Sequence, residues 1–449
     1  METTVTKNLM TEGSIWKKIT FFALPIFLGN LFQQMYNTAD SLIVGNFLGS
    51  SALAAVSSSG NLIFLMIGFF NGISIGAGVV IARYFGARNK EKVETAVHTT
   101  VAFGLAASVV LTIVGVFFAP QILILMDTPA NVLPESVTYF RIDFMGSLGF
   151  VMYNVFVGVL QSVGDSKHPL YYLIISSLIN VVLDLVFIAG FHYGVGAAAL
   201  ATTISQFVSA FLCMGQLMRT KEEYRLCLRK IRFDREMLGQ IIRIGLPSGI
   251  QNSIIAIANV VVQSNINAFG ETAMAGCGAY SKIEGFGFLP ITSFTMALTT
   301  FVGQNLGAKQ EERAKKGARF GILTTVVLAE LIGVLIFIFA SPLTRAFDSN
   351  PEVIMYGVAR ARTAALFFCL LAYSHAISAV LRGAGKSMVP MIVMLICWCV
   401  IRVTILVVFG KLVGKIDIVY WVYPITWGLS SIIFFIYYKK ANWLNSFKE

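Results

Sequence analysis

Two aspartates stand where an aspartate is costly. Asp40 and Asp184 each lie inside a long apolar run, five and six residues before its end. An ionisable side chain at the centre of a membrane helix costs from about 3 to more than 10 kcal/mol, so each asks for a purpose. With a rise of about 1.5 Å per residue, both carboxylates fall roughly 8–9 Å below the outer surface. Thr202, counted inward from the start of its own run, reaches about 10 Å. Asn180 stands one turn deeper than Asp184 on the same face, because residues four apart stack on a helix. Two carboxylates, an amide oxygen and a hydroxyl at one depth form an oxygen cluster that suits a hard cation such as Na+. A carboxylate pair in a dry site can equally load and release a proton. Asp40, Asn180, Asp184 and Thr202 are therefore the candidate cation or proton site, and Na+ is the one metal ion expected there; no structural metal is expected.

Gln33, Asn37 and Asp40 recur at helical spacing, a polar stripe that lipid would not tolerate. The stripe should face a wet cavity, which makes Gln33 and Asn37 candidate lining residues. Pro25, on the same run, removes the hydrogen bond to the Phe21 carbonyl, so it marks either a working bend or a static kink.

The elements that position these residues follow from hydropathy. Of 449 residues, 56% are apolar and 13% charged, too few charges for a water-soluble globule. A span needs roughly 20 mainly apolar residues. Such runs cover 19–45, 54–82, 94–118, 138–161, 169–190, 195–218, 238–266, 275–303, 317–340, 356–381, 389–410 and 419–438. The fold class is thus an all-α polytopic membrane protein of about twelve transmembrane helices. With the N-terminus in the cytoplasm, the loops, tails and adjoining helix ends on that side, Arg243 and Arg319 included, carry 26 of the 34 Lys and Arg, against Arg345, Lys411 and Lys415 opposite. The positive-inside rule then puts both termini in the cytoplasm of a cell-membrane protein. The same rule accounts for the basic 219–237 linker and for the net charge of +11, so nucleic acid is not expected as a partner. The first eighteen residues lack the h-region and cleavage site of a signal peptide. Six cysteines fall mostly in apolar runs without metal-ligand spacing and read as reduced packing residues.

The sequence also repeats itself at an offset of 221. Ala87-Arg88 answers Ala308-Lys309, Leu24-Pro25 answers Leu246-Pro247, the Gly164 turn answers the Gly385 turn, and Pro169 answers Pro390. Two six-helix halves in the same orientation result, with domains 1–18 (tail), 19–218 (N-lobe), 219–237 (linker), 238–438 (C-lobe) and 439–449 (tail). Parallel repeats are one architecture in which secondary transporters place substrate sites at midplane, although duplication can also reflect ancestry alone. The halves differ in chemistry: the partners of Asp40 are Val261 or Val262, and Asn180 and Asp184 face Ile401 and Ile405. The second half has Lys282, Glu284, Glu330 and Arg402 instead, some of them expected to neutralise one another in buried pairs, with Glu284 the best candidate for substrate contact.

Other signals are weak. Gly383-Ala384-Gly385-Lys386-Ser387 ends like a phosphate loop, but no strand precedes it and Val380 stands where the first Gly belongs. Gly68, Gly72 and Gly76 read as a close helix-packing ladder. The four histidines lack metal spacing and no hydrolase signature appears, so no enzymatic activity and no cofactor are expected. Aromatic faces among 36 Phe would suit a cationic guest.

The run Leu24-Pro25-Ile26-Phe27, Gln33 to Asp40 and Asn46-Phe47-Leu48-Gly49 resembles the first helix of the multidrug and toxic compound extrusion (MATE) family. Gly164-Asp165-Ser166-Lys167, Asn180 with Asp184, Lys282 to Phe286 and Gly303-Gln304-Asn305 extend the likeness to its DinF-like bacterial and archaeal branch. The resemblance implies a two-lobe antiporter, expected to act as a monomer among membrane lipids, that exports small organic cations in exchange for H+ or Na+. It implies that Asp40, Asn180, Asp184 and Thr202 match the N-lobe cation site and that Gln34 and Asn154 line the drug cavity. The C-lobe acidic pair of the other main bacterial branch has no match here. A lipid or lipid-linked saccharide flippase, also represented in the wider superfamily, is the alternative; it would want basic residues around an anionic phosphate, where the first half offers acids and amides.

Overall fold

A computed structural model describes residues 9–48, 50–125, 130–131 and 133–445. Residues 1–8 and 446–449 of the expected tails, and Gly49 of the first-helix motif, lie outside the described residues. Among the described residues every regular element is helical. We number the long ones α1 (Ile15–Leu48), α2 (Ser50–Gly86), α3 (Lys90–Phe117), α4 (Leu133–Met145 and Ser147–Ser162), α5 (Lys167–Asp184), α6 (Val195–Arg219), α7 (Arg235–Asn267), α8 (Glu271–Gly307), α9 (Glu311–Ile338), α10 (Pro351–Ala364 and Phe368–Gly383), α11 (Met388–Met394 and Arg402–Val413) and α12 (Asp417–Lys440). Among the described residues eleven have the length and apolarity to cross a membrane, and α4, bent by 49°, makes a twelfth if its two pieces form one span, which would match the twelve apolar runs. Outward faces are greasy, as along α3 at Val109, Ile113 and Phe117, the pattern of a lipid-facing helix.

The bend in α4 falls at Gly146 without a proline. A Cβ there would meet the Thr203 side chain of α6 at 2.4 Å, so only glycine lets the two helices approach this closely. Caps mark other helix starts: the Asn89 side chain accepts from Lys92 N at 3.1 Å and Asn350 from Glu352 N at 2.9 Å.

The repeat is written in the backbone as well. Arg88 and Lys309 take positive φ of 55° and 59°, and Gly164 and Gly385 of 91° and 79°. Each pair is 221 residues apart. The same turn closes the helix at all four places: Asn89 N donates to Tyr84 O, Gln310 N to Asn305 O, Asp165 N to Leu160 O and Lys386 N to Leu381 O, all within 3.0 Å. These are glycine-type helix stops, two of them made by long cationic side chains.

Contacts divide the chain into two compact units, Met1–Leu9 with Leu28–Gly249, and Met10–Phe27 with Ile250–Glu449. These boundaries differ from 218 and 238, where the sequence suggested them. The first turns of α1 send Ile19, Phe22, Ala23 and Ile26 into the core of the second unit, whereas Met237, Ile241 and Ile244 of α7 pack in the first. The chain therefore changes units within α1 and within α7, each time two residues beyond a proline, Pro25 and Pro247. Helix α1 runs through Pro25 from Ile15 to Leu48 without a break.

In the first unit, α2 and α7 touch through glycine. A Cβ on Gly72 would lie 2.1 Å from Gly249 N, and one on Gly76 2.4 Å from Gly245 Cα. Helices in lipid associate through such packing more than through the hydrophobic effect. The linker docks on α3: Cys227 N donates to His98 Nε2 at 3.0 Å, Lys230 pairs with Glu94, and Lys92 lies 3.6 Å from Glu236. The Glu94 carboxylate raises the Lys230 ammonium above the ordinary lysine range.

Candidate functional site

The first unit brings Asp40, Asn180, Asp184 and Thr202 together. Asp184 is the last residue of regular α5, and the next six, Leu185–Gly190, form a wider π turn, a distortion that often marks functional positions. Asn180 and Asp184 are fully buried, at 1% and 0% exposure, and Asp40 is half-buried. The Asp40 and Asp184 carboxyls lie close enough to share a hydrogen bond. Asn180 Nδ2 donates to Thr202 Oγ1 at 3.3 Å, which leaves the amide oxygen free. Just beyond the acids, Ile43, Val44, Ile188 and Ala198 pack into an apolar cluster.

What the four residues lack is donors. Asp40 Oδ1, both Asp184 oxygens and Asn180 Oδ1 are buried and receive no hydrogen bond from the described residues. A buried acceptor without a partner costs about 1–3 kcal/mol, more when charged. A proton between the carboxyls, or a hard cation among the oxygens, would satisfy this set. Among the described residues no group of three or more His, Cys, Asp or Glu is placed to hold a metal, so the donor set fits Na+ or H+ better than a transition metal.

The remaining expected residues are placed as follows. Gln33 stands beside the Tyr36 phenol. Gln34 is half-buried and Asn37 exposed. The Asn154 amide turns back on its own helix and donates to Phe150 O at 2.9 Å. Glu284 is not with this group: it belongs to the second unit, beside Tyr280 and within electrostatic reach of Arg360 and Arg402. Among the described residues no direct ion pair joins the second-half charges: Glu330 accepts from Cys369 N at 2.9 Å, Lys282 is exposed, and Glu284 and Arg402 meet only within electrostatic reach. Glu330 thereby caps the second piece of α10, where a carboxylate is favoured.

Sequence reasoning missed Asp143, whose carboxyl lies, like that of Asp40, within electrostatic reach of Tyr36 and Tyr139. The depth argument that found Asp40 would have found it, for it too is five residues inside its run.

Comparison with known proteins settles the family. The MatE pattern matches residues 25–186 and again 247–408. The chain belongs to the MatE family. The two matches span the two halves of the repeat. Among MatE relatives, the probable multidrug resistance protein YoeA of Bacillus subtilis is 29% identical, covering 96% of this chain and 94% of that protein. The probable multidrug resistance protein NorM of Thermotoga maritima is 27% identical over 88% and 86%. A multidrug resistance MATE family transporter solved in an outward-facing conformation superposes with a TM-score of 0.90 at 25% identity, covering 99% of each chain.

Proposed function

We propose that this MatE protein is a secondary antiporter of the cell membrane that exports small organic cations of varied structure in exchange for H+ or Na+. The observation that carries the proposal is the set of buried oxygens on Asp40, Asn180 and Asp184 that no protein donor satisfies. Such a set binds and releases a monovalent cation or a proton, and has no comparable use in a scaffold. The multidrug resistance names of its relatives support a broad range of guests. Coupling follows from linkage: if the ion and the guest favour different states of the protein, each changes the other's affinity by the same factor, and an ion gradient then drives the guest outward. Both termini and the basic linker face the cytoplasm in this reading, and the protein works as a monomer.

The test is transport in proteoliposomes, with a pH gradient or a Na+ gradient imposed separately and ethidium as the guest. Ethidium movement under either gradient, and none without one, is the expected result. A gradient-independent flux would overturn it. If Na+ is the ion, its affinity should rise with pH, because protons must leave the carboxylates before the cation enters.

A further inference from the structure

The second unit contains a cluster of opposite sign. Arg360 on α10 and Arg402 on α11 are buried, at 4% and 1% exposure. Both guanidiniums lie against one ring, that of Tyr423 on α12, at 5.4 and 4.5 Å from its centroid. Tyr280 on α8 backs Arg360 at 5.1 Å and Trp398 backs Arg402 at 5.5 Å. Counted from Pro351, Val413 and Asp417, the residues Arg360, Arg402 and Thr426 stand at similar depths of about 13–17 Å.

Charge and hydrogen bonding are both incomplete there. A guanidinium has five N–H donors. Among the described residues, Arg360 uses one of them, Nη1 to Cys277 O at 3.3 Å, and Arg402 uses two, from Nε and Nη2 to Thr426 Oγ1 at 3.3 and 2.9 Å. Glu284 is the acid within reach of both, and it makes a direct ion pair with neither. A pair built for stability alone would place the carboxylate in bidentate contact with one guanidinium. Two buried positive charges instead share one negative charge at a distance, an arrangement that costs stability unless another anion completes it.

We infer that the second unit holds an oxyanion site, in which Arg360 and Arg402 bind the carboxylate or phosphate of a small aromatic guest whose ring system packs against the Tyr423, Tyr280 and Trp398 cluster. Arginine suits this role because its planar fork matches a carboxylate or phosphate and stacks on aromatic faces. The inference does not depend on the antiport reading, and it widens the guests from plain cations to molecules that also carry an anionic group.

Rhodamine 110 and rhodamine 123 test it, since they differ in one methyl ester: the first keeps a free carboxylate and the second has none. Binding of each to the purified full chain is measured by fluorescence anisotropy. In Arg360→Gln and Arg402→Gln, rhodamine 110 affinity should fall about tenfold or more, while rhodamine 123 affinity stays within about twofold. Arg402→Lys, which keeps the charge and loses the fork, should fall between. If a glutamine variant does not fold, the parent decides: benzoate or phenyl phosphate must displace rhodamine 110, and benzyl alcohol must not. Equal losses for the two dyes, or a parent indifferent to the carboxylate, would overturn the site. Displacement by dihexanoyl phosphatidate but by neither small oxyanion would overturn the small aromatic guest and leave a lipid headgroup as occupant. Loss of rhodamine 123 binding in the parent would count against cation export alone.

Discussion

Asn180 gives a side-chain hydrogen to the Thr202 hydroxyl at 3.3 Å, and this bond fixes which way the amide points. With Nδ2 held by α6, Oδ1 is left as the acceptor without a donor, on the same face as the Asp184 carboxylate one turn along α5. Thr202→Val removes the hydroxyl that holds the amide while keeping the shape of the side chain. Losing such an orienting partner typically weakens an ion site about 10–100-fold, so the variant should need at least about tenfold more Na+, or a correspondingly lower pH, for the same ligand-induced rise in melting temperature. A parental response would mean that Asn180 is oriented by something else.

The contact of α2 with α7 in the first unit is set by backbone atoms, so it should be intolerant of even one methyl. Gly72→Ala would drive a Cβ to 2.1 Å from Gly249 N, and Gly76→Ala to 2.4 Å from Gly245 Cα. Neither neighbour is a flexible side-chain tip. Overpacking of this kind costs about 1–3 kcal/mol, and thermal unfolding in detergent should show both variants melting below the parent. Gly239→Ala, where a Cβ meets nothing within 4 Å, is the control and should leave the melting temperature unchanged or raise it. Loss of stability in the control alone would reverse the argument.

Much of this protein was readable from its sequence because lipid is an exacting solvent. Twelve apolar runs correspond, among the described residues, to eleven helices long and apolar enough to cross a membrane and one bent pair, since a backbone in hydrocarbon has few alternatives to helix. The 221-residue offset predicted equivalent turns, and the φ angles of Arg88 with Lys309 and Gly164 with Gly385 show that equivalence in the chain. Depth arithmetic could also group Asp40, Asn180, Asp184 and Thr202, because burial of an acid in a span has few explanations. What stayed hidden was pairing. Arg360 stands beside Arg362 near the end of a run and reads as a flanking basic residue, and nothing in the sequence says that its side chain meets the same Tyr423 ring as Arg402. Glu330 was one of four second-half charges expected to neutralise one another, and it instead holds a helix N-terminus through Cys369 N. The change of units inside α1 and α7 was hidden for the same reason: a run of apolar residues shows that a helix is buried, not against what.

Orientation can be checked with a single reporter. Arg229 is exposed in the linker, next to Lys230, which pairs with Glu94 on α3. In a background with the six native cysteines replaced, Arg229→Cys should be silent to an impermeant maleimide added to intact cells and should react in inside-out vesicles. Labelling of intact cells would put the linker outside and invert every depth assigned here. Arg345→Cys, on an exposed position expected on the other side, should give the reverse pattern.

The sharpest expectation is that stability and transport part company at the acid pair. Asp40 and Asp184 lie in one site with their oxygens unsatisfied by protein donors, so the folded protein bears a desolvation cost that an aspartate anchoring helices through hydrogen bonds would not impose. Asp40→Asn and Asp184→Asn each remove a charge from that site and add an amide donor that the neighbouring carboxylate can accept. Both variants should therefore melt at or above the temperature of the parent. A structural aspartate would show the opposite, because deleting one partner of a satisfied pair leaves the other orphaned. Transport should respond the other way: without a carboxylate that binds the ion differently in two states, the gradient has nothing to act on, and driven efflux should disappear even where the guest still binds. Three measurements on each purified variant decide the matter: melting temperature, equilibrium binding of ethidium, and ethidium uptake into proteoliposomes under an imposed gradient. Gradient-driven uptake at parental rates in both variants would remove the acid pair from the mechanism, and a drop in melting temperature in both would make it a structural anchor instead.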